Sequence, residues 1–125
     1  GLIDDRAFSR AFVRDRLNFS PRSPYLLERE LRLKGIADPV ASDAVAAVLE
    51  EEGISKAVLA EATARAWVRK QGTRALAVFT EERFSQERER ERRRFFGFMS
   101  RRGFGGEAAR TGLEAGIEEA RKLLQ

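Results

Sequence analysis

Neither cysteine nor histidine occurs anywhere in this chain of 125 residues. Their absence excludes a disulfide framework, thiolate zinc sites, imidazole ligation and any nucleophile–base pair built on Cys or His. Proline is scarce, at three, and no stretch free of charge lasts more than six residues, Ala44 to Leu49 and Phe95 to Ser100 being of that length. A membrane-spanning helix needs about 20 mostly apolar residues, so none is encoded. Nor does the start read as a secretory leader, since Asp4, Asp5, Arg6 and Arg10 already lie in the first helix. A soluble, cytoplasmic protein is expected. The chain opens on Gly1 and Leu2 without an initiator methionine, which implies further residues upstream.

Charge is what the sequence has in excess: 35% of residues are charged, against roughly one quarter in an ordinary globular domain. The net value of +4, from 24 basic and 20 acidic residues, hides a strong alternation. Residues 1–35 carry a net +3, 36–64 a net −5, 65–103 a net +7 and 104–125 a net −1. Separate basic and acidic surfaces follow, suited to a partner of complementary pattern. The adjacent acids Glu50 to Glu52, or Glu81 and Glu82, project in different directions from a helix and have no evident second half. The sequence therefore predicts no enzyme, no metal site and no cofactor.

Periodicity predicts helices throughout and no strand. Asp4 or Asp5 caps a first helix running to about Asn18, with Phe8, Ala11 and Phe12 on its apolar face. Ser23 and Pro24 start a second, carrying Leu27 and Leu31 and closed by Gly35 after Lys34. Asp38 followed by Pro39 starts a third, with Val40, Ala44, Val45, Val48 and Leu49 as its stripe, ending near Gly53. A fourth begins near Ser55 and presents Val58, Leu59, Ala62, Ala66 and Trp67. After Gly72 and the apolar stretch Ala75 to Phe79, Thr80 is expected to cap a long charged helix. That helix starts with Glu81 and Glu82, becomes basic at Arg92 to Arg94 as the helix dipole favours, and stops at Gly103. A last helix, about Gly106 to Leu124, is expected to bury Ala109, Leu113, Ile117 and Leu124.

Sliding the chain against itself exposes a repeat. At an offset of 55, Arg65, Ala66, Trp67, Val68 and Arg69 fall on Arg10, Ala11, Phe12, Val13 and Arg14. At an offset of 68, Phe95, Met99, Arg102, Gly103 and Phe104 fall on Leu27, Leu31, Lys34, Gly35 and Ile36, and Leu113 and Ile117 on Val45 and Leu49. The reading is an all-α chain of tandem three-helix, helix-turn-helix-like repeats forming an elongated, curved array. The first repeat is 1–53 and the second 54–125, with a charged insertion near 73–94.

With Gly1 to Asp5 (GLIDD), Phe12 to Arg14 (FVR), Leu31 to Ile36 (LRLKGI) and Arg94 to Phe104 (RFFGFMSRRGF) in order, the sequence resembles the RecX family, regulators of the RecA recombinase. It lacks the further three-helix repeat that members hold before the GLIDD-like segment. The resemblance implies a protein that lodges in the groove of the RecA–DNA filament and suppresses its ATPase, strand exchange and the SOS response. It also implies a monomer that meets filament protomers, with contact to the single-stranded DNA within the filament left open, and no membrane. Candidate filament contacts are Arg10 and Arg14, their repeat mates Arg65 and Arg69 with Lys70, and Arg101 with Arg102. The alternative is a sequence-nonspecific nucleic-acid-binding helical protein, against which stand Glu87, Glu89 and Glu91 amid the basic segment.

Overall fold

Small polar caps and glycine stops divide the chain into helices. The computed structural model describes residues 4–125, so Gly1 to Ile3 of the GLIDD segment lie outside the described residues. Among the described residues there are seven helices and no strand: α1 Asp5–Phe19, α2 Pro24–Leu33, α3 Asp38–Glu52, α4 Lys56–Arg69, α5 Thr73–Phe79, α6 Gln86–Arg101 and α7 Gly106–Leu123. Asp4, Ser23, Ser55 and Ser85 cap α1, α2, α4 and α6, each side chain accepting a backbone N–H of the first turn.

Two cores form. Val13, Leu27, Leu31, Ile36, Ala41, Val45 and Val48 fill one among α1, α2 and α3. Leu59, Trp67, Val68, Leu76, Phe79, Phe95, Met99 and Phe104 fill the other among α4 to α7. Leu17 and Leu49 pack against both and so join the two units. In the second, Trp67 lies 5.3 Å from Phe79 and 5.4 Å from Phe95, the latter edge to face.

The repeat is visible atom by atom. Leu27 and Phe95 are both fully buried, as are Leu31 and Met99. After α2, the N–H of Gly35 donates to the Arg32 carbonyl and that of Ile36 to the Leu31 carbonyl; after α6, Gly103 donates to Ser100 and Phe104 to Met99. Both are the Schellman stop, with the glycine left-handed at φ 92° and 88°. Tandem helical repeats are thus the architecture, and the second unit adds α5, whose Leu76 and Phe79 join its core.

Several expected details shift. Ser9 and Val13, not Phe8 and Ala11, are the buried positions of α1, and Phe8 is exposed. Helix α3 begins at Asp38 itself, with Ala37 as an N-cap that supplies no side-chain bond, because Pro39 takes the second helical position. On α4 the buried face is Leu59, Ala60, Thr63, Ala64, Trp67 and Val68, leaving Val58 and Ala62 exposed. Thr80 ends α5 rather than starting the charged helix, since its hydroxyl donates back to the carbonyls of Leu76 and Ala77. The charged helix therefore starts at Gln86, and Glu87 and Glu89, not Glu81 and Glu82, occupy its first turn.

On α7 the fully buried positions are small ones, Ala109, Gly112, Ala115, Gly116 and Ala120, while Leu113, Ile117 and Leu124 are half-buried against the core. Side chains this small let α7 lie close on α4: a Cβ at Gly112 would come within 3.3 Å of the Ala60 carbonyl oxygen and 3.4 Å of the Ala64 Cβ. The same seam recurs between α1 and α3, where Ser9 and Ala44 stand at the repeat positions of Ala64 and Gly112 and are likewise buried. Ser9 is fully buried there, as small as the position it matches, Ala64.

Candidate functional site

The seven candidate cations fall into three groups. Arg10 and Arg14, one turn apart on α1, both reach Glu51 on α3, at 3.6 and 2.7 Å. Arg65 and Arg69, one turn apart on α4, both reach Glu119 on α7, each at 3.2 Å, and Arg65 also meets Glu118 at 3.4 Å. Glu51 and Glu119 are themselves related by the offset of 68. Each unit thus clamps its first helix to its last by two arginines on one carboxylate.

These clamps differ in depth. The Glu51 side chain is 49% exposed, Glu119 only 14%. Burial pushes the Glu119 carboxyl up, but hydrogen bonds and charge from Arg69 and Arg65 outweigh it and hold the pKa below the usual carboxylate value. Glu118 is held low as well, chiefly by its hydrogen bond with Lys122, then by the charges of Lys122 and Arg65. Both carboxylates therefore add stability that is complete above their unfolded pKa, about 4.3, and is lost as pH falls through the lowered folded value. Glu119→Gln is expected to cost ~1–2 kcal/mol at neutral pH, a figure reduced for screening at the exposed Arg69, and Glu51→Gln under ~0.5 kcal/mol. Urea titrations at pH 7 check the difference, and the cost of Glu119→Gln should shrink as pH falls through the lowered Glu119 value.

The third group lies where the units meet. Arg102 is the C-cap of α6; its carbonyl accepts the Ser23 N–H at 2.9 Å and its guanidinium lies 5.2 Å from the Phe98 ring centre. Burial, then the charge of Arg22, lowers its pKa, with Glu30 opposing and Arg101 and Arg16 adding to the lowering. Glu30 on α2 accepts from Arg16 at 3.3 Å and from Arg22 at 2.5 Å. Lys70 caps the C-terminus of α4 and is exposed, as is Arg101, whose guanidinium lies over Gly97. The structure thus pairs four candidates internally and leaves Lys70, Arg101 and Arg102 with no carboxylate at ion-pair distance among the described residues.

Arg16 and Arg22 are not among the sequence candidates, and of the outer face of α6 only Arg101 is. On that face Arg90, Arg93 and Arg101 follow at helical spacing, with Gly97 among them, and none has a carboxylate partner among the described residues. Arg94, by contrast, pairs with Glu91 at 2.6 Å and lies 5.8 Å from the Trp67 ring centre. Among the described residues no group of three metal-ligating side chains comes together, and no helix is long and apolar enough to cross a membrane.

Residues 4–45 match the family model of the second three-helix domain of RecX. The regulatory protein RecX of Prosthecochloris aestuarii is 43% identical over 44 residues, which cover 35% of this chain and 29% of that protein. That of Lactobacillus delbrueckii subsp. bulgaricus is 38% identical over 58 residues, 45% of this chain and 21% of the relative. The matches span less than a third of these relatives' own length. No solved structure matches significantly.

Proposed function

We propose that this chain, whose first three-helix unit is similar to the second three-helix domain of RecX, is a RecX-type regulator that restrains the RecA recombinase. The match over residues 4–45 carries this reading, and the internal repeat extends it to the second unit. In this reading the units are 1–53 and 54–125, they lodge in the groove of the RecA–DNA filament, and they slow its ATPase and strand exchange. Two units of one design present related surfaces at regular spacing, which suits a polymer of identical protomers. Charge-patterned faces would speed the encounter and make it sensitive to salt.

Among the candidate contacts, Lys70 and Arg101 are free to meet filament carboxylates, and Arg102 lies beside them at the junction. Arg10, Arg14, Arg65 and Arg69 would act by sharing their charge while holding the helical clamps. Reversing Arg65 or Arg69 would set an acid against Glu119, so the informative variants are Lys70→Glu and Arg101→Glu. Titrated into RecA hydrolysing ATP on single-stranded DNA, the protein is expected to inhibit at well below one copy per recombinase. The double variant should need about tenfold more protein, equivalent to ~1.4 kcal/mol of binding. Inhibition that appears only when the protein saturates the free DNA would refute filament binding.

The unpaired Arg90, Arg93 and Arg101 favour one second reading, direct contact with nucleic-acid phosphates. It requires that DNA affinity fall steeply with salt on a log–log plot, in proportion to the phosphates neutralised.

A further inference from the structure

A cleft opens where the two units meet. Phe19 and Pro21, from the end of α1 and the turn that follows it, face Trp67 and Lys70 on α4 and Phe98 and Arg102 on α6. Phe19 is 79% exposed at the rim of this cleft.

The charges around the recess are one-sided. Lys70 and Arg102 stand at the cleft itself, Arg94 lies over Trp67, and Arg16, Arg22 and Arg101 are close enough to Arg102 or its neighbours to act on it. The nearby acids are already engaged: Glu30 with Arg16 and Arg22, Glu91 with Arg94, and Asp15 with Arg16 at 3.7 Å. Lys70 and Arg102 have no carboxylate within ion-pair distance among the described residues. The recess therefore combines an apolar lining with a net positive charge, of which Glu30 offsets only part at Arg102.

We propose that this cleft seats an acidic peptide segment of a partner protein, with an aliphatic side chain between Phe19 and Phe98 and a carboxylate on Lys70 and Arg102. A single strand of nucleic acid fits less well. Trp67 is nearly buried, with Phe79, Phe95, Phe98 and Arg94 packed about its ring, and Phe98 is itself covered by Arg102. Only Phe19 offers a free face, whereas strand binding relies on successive bases stacking on successive rings. An aliphatic side chain needs no such face, and a carboxylate matches the guanidinium of Arg102 geometrically. The proposal stands apart from the identity of the partner, on which the ATPase titration reports separately.

Trp67 is the single tryptophan of the chain and lines the cleft, so its fluorescence reads occupancy directly. The probe is a short acetylated peptide of leucines flanked by aspartates. Controls replace the leucines by serine or the aspartates by lysine, and oligothymidylate serves as the nucleic-acid arm. A saturable change in Trp67 emission is expected with the aspartate–leucine peptide alone. Lys70→Glu and Phe19→Ser should each weaken it about tenfold or more, a ratio typical of losing one anchoring contact. Both positions are exposed, and an unchanged thermal melt verifies that the variants fold. Equal binding of the serine control would reduce the site to diffuse charge and overturn the proposal. So would displacement of the peptide by oligothymidylate, or the absence of binding by both fluorescence and calorimetry.

Discussion

Gly112→Leu is expected to lower the thermal midpoint by ~10 °C or more, the largest effect of any single surface-neutral change in the second unit. Gly112 lies in the α4–α7 seam, where an added Cβ would stand 2.7 Å from Met99 Cε, 3.3 Å from the Ala60 carbonyl oxygen and 3.4 Å from Ala64 Cβ. Leucine adds three further carbons to that space. The backbone of α4 cannot yield locally, so α7 must move away, taking Gly116 from Val68 and Glu119 from Arg65 and Arg69. Overfilling a packed core costs typically 1–3 kcal/mol; with the clamp also opened, a loss of ~3 kcal/mol or more is expected. Gly112→Ala is the control. Met99 Cε is the tip of a flexible side chain and can turn aside, and alanine gains ~1 kcal/mol of helix propensity over glycine. That variant should melt within a few degrees of the parent in circular dichroism scans. A leucine variant that melts like the parent would show that the two helices are not in close contact.

The same seam explains which parts of the fold were legible in the sequence. Helix stops were plain, because Gly35 and Gly103 follow a cation and precede an apolar residue in both units, a pattern only a left-handed stop requires. Helix faces were not. Ser9, Gly112 and Gly116 carry no hydropathy signal, and Ala60 and Ala64 carry no more than Ala62, so hydropathy points to Phe8, Ala62, Leu113 and Ile117, a rotation away from the buried line. Close approach selects for small volume, and volume is invisible to a count of apolar residues. Thr80 failed for a related reason: a threonine bonds as readily to the carbonyl a turn before it as to an N–H a turn after.

The paired clamps are encoded in the repeat. Aligning Leu49 with Ile117 already places Glu51 on Glu119 two residues later, and Arg10 and Arg14 were already aligned with Arg65 and Arg69. Sliding acids together with bases would have identified an ion-pair motif rather than four outward cations. The junction was less accessible, because Arg16, Arg22 and Glu30 come together only once Ser23 meets Arg102, and no local pattern encodes that meeting. Charge totals correctly marked 65–103 as basic, but pairing decides which of those cations a partner can use.

Gly103→Ala should destabilise the chain far more than Gly35→Ala, though the two glycines hold the same place in their units. Both are left-handed, and an alanine there costs ~1–2 kcal/mol in backbone strain. At Gly35 nothing lies within 4 Å of the added Cβ, so strain is the whole effect. At Gly103 the Cβ would fall 2.0 Å from Ser23 Oγ and 2.9 Å from Ser23 Cβ, against the residue that caps α2 and donates its N–H to Arg102. Relief requires the α6 stop to lift from α2, which breaks that hydrogen bond and strips the Ser23 cap of its support, adding ~2 kcal/mol or more. Denaturant titration should show a total loss of ~3–4 kcal/mol for Gly103→Ala against ~1–2 kcal/mol for Gly35→Ala. Removing the obstacle tests the cause: in a Ser23→Gly background the clashing atoms are gone, and the penalty of Gly103→Ala should fall to that of Gly35→Ala. Equal penalties in the parent background would mean that the two units do not touch at this point.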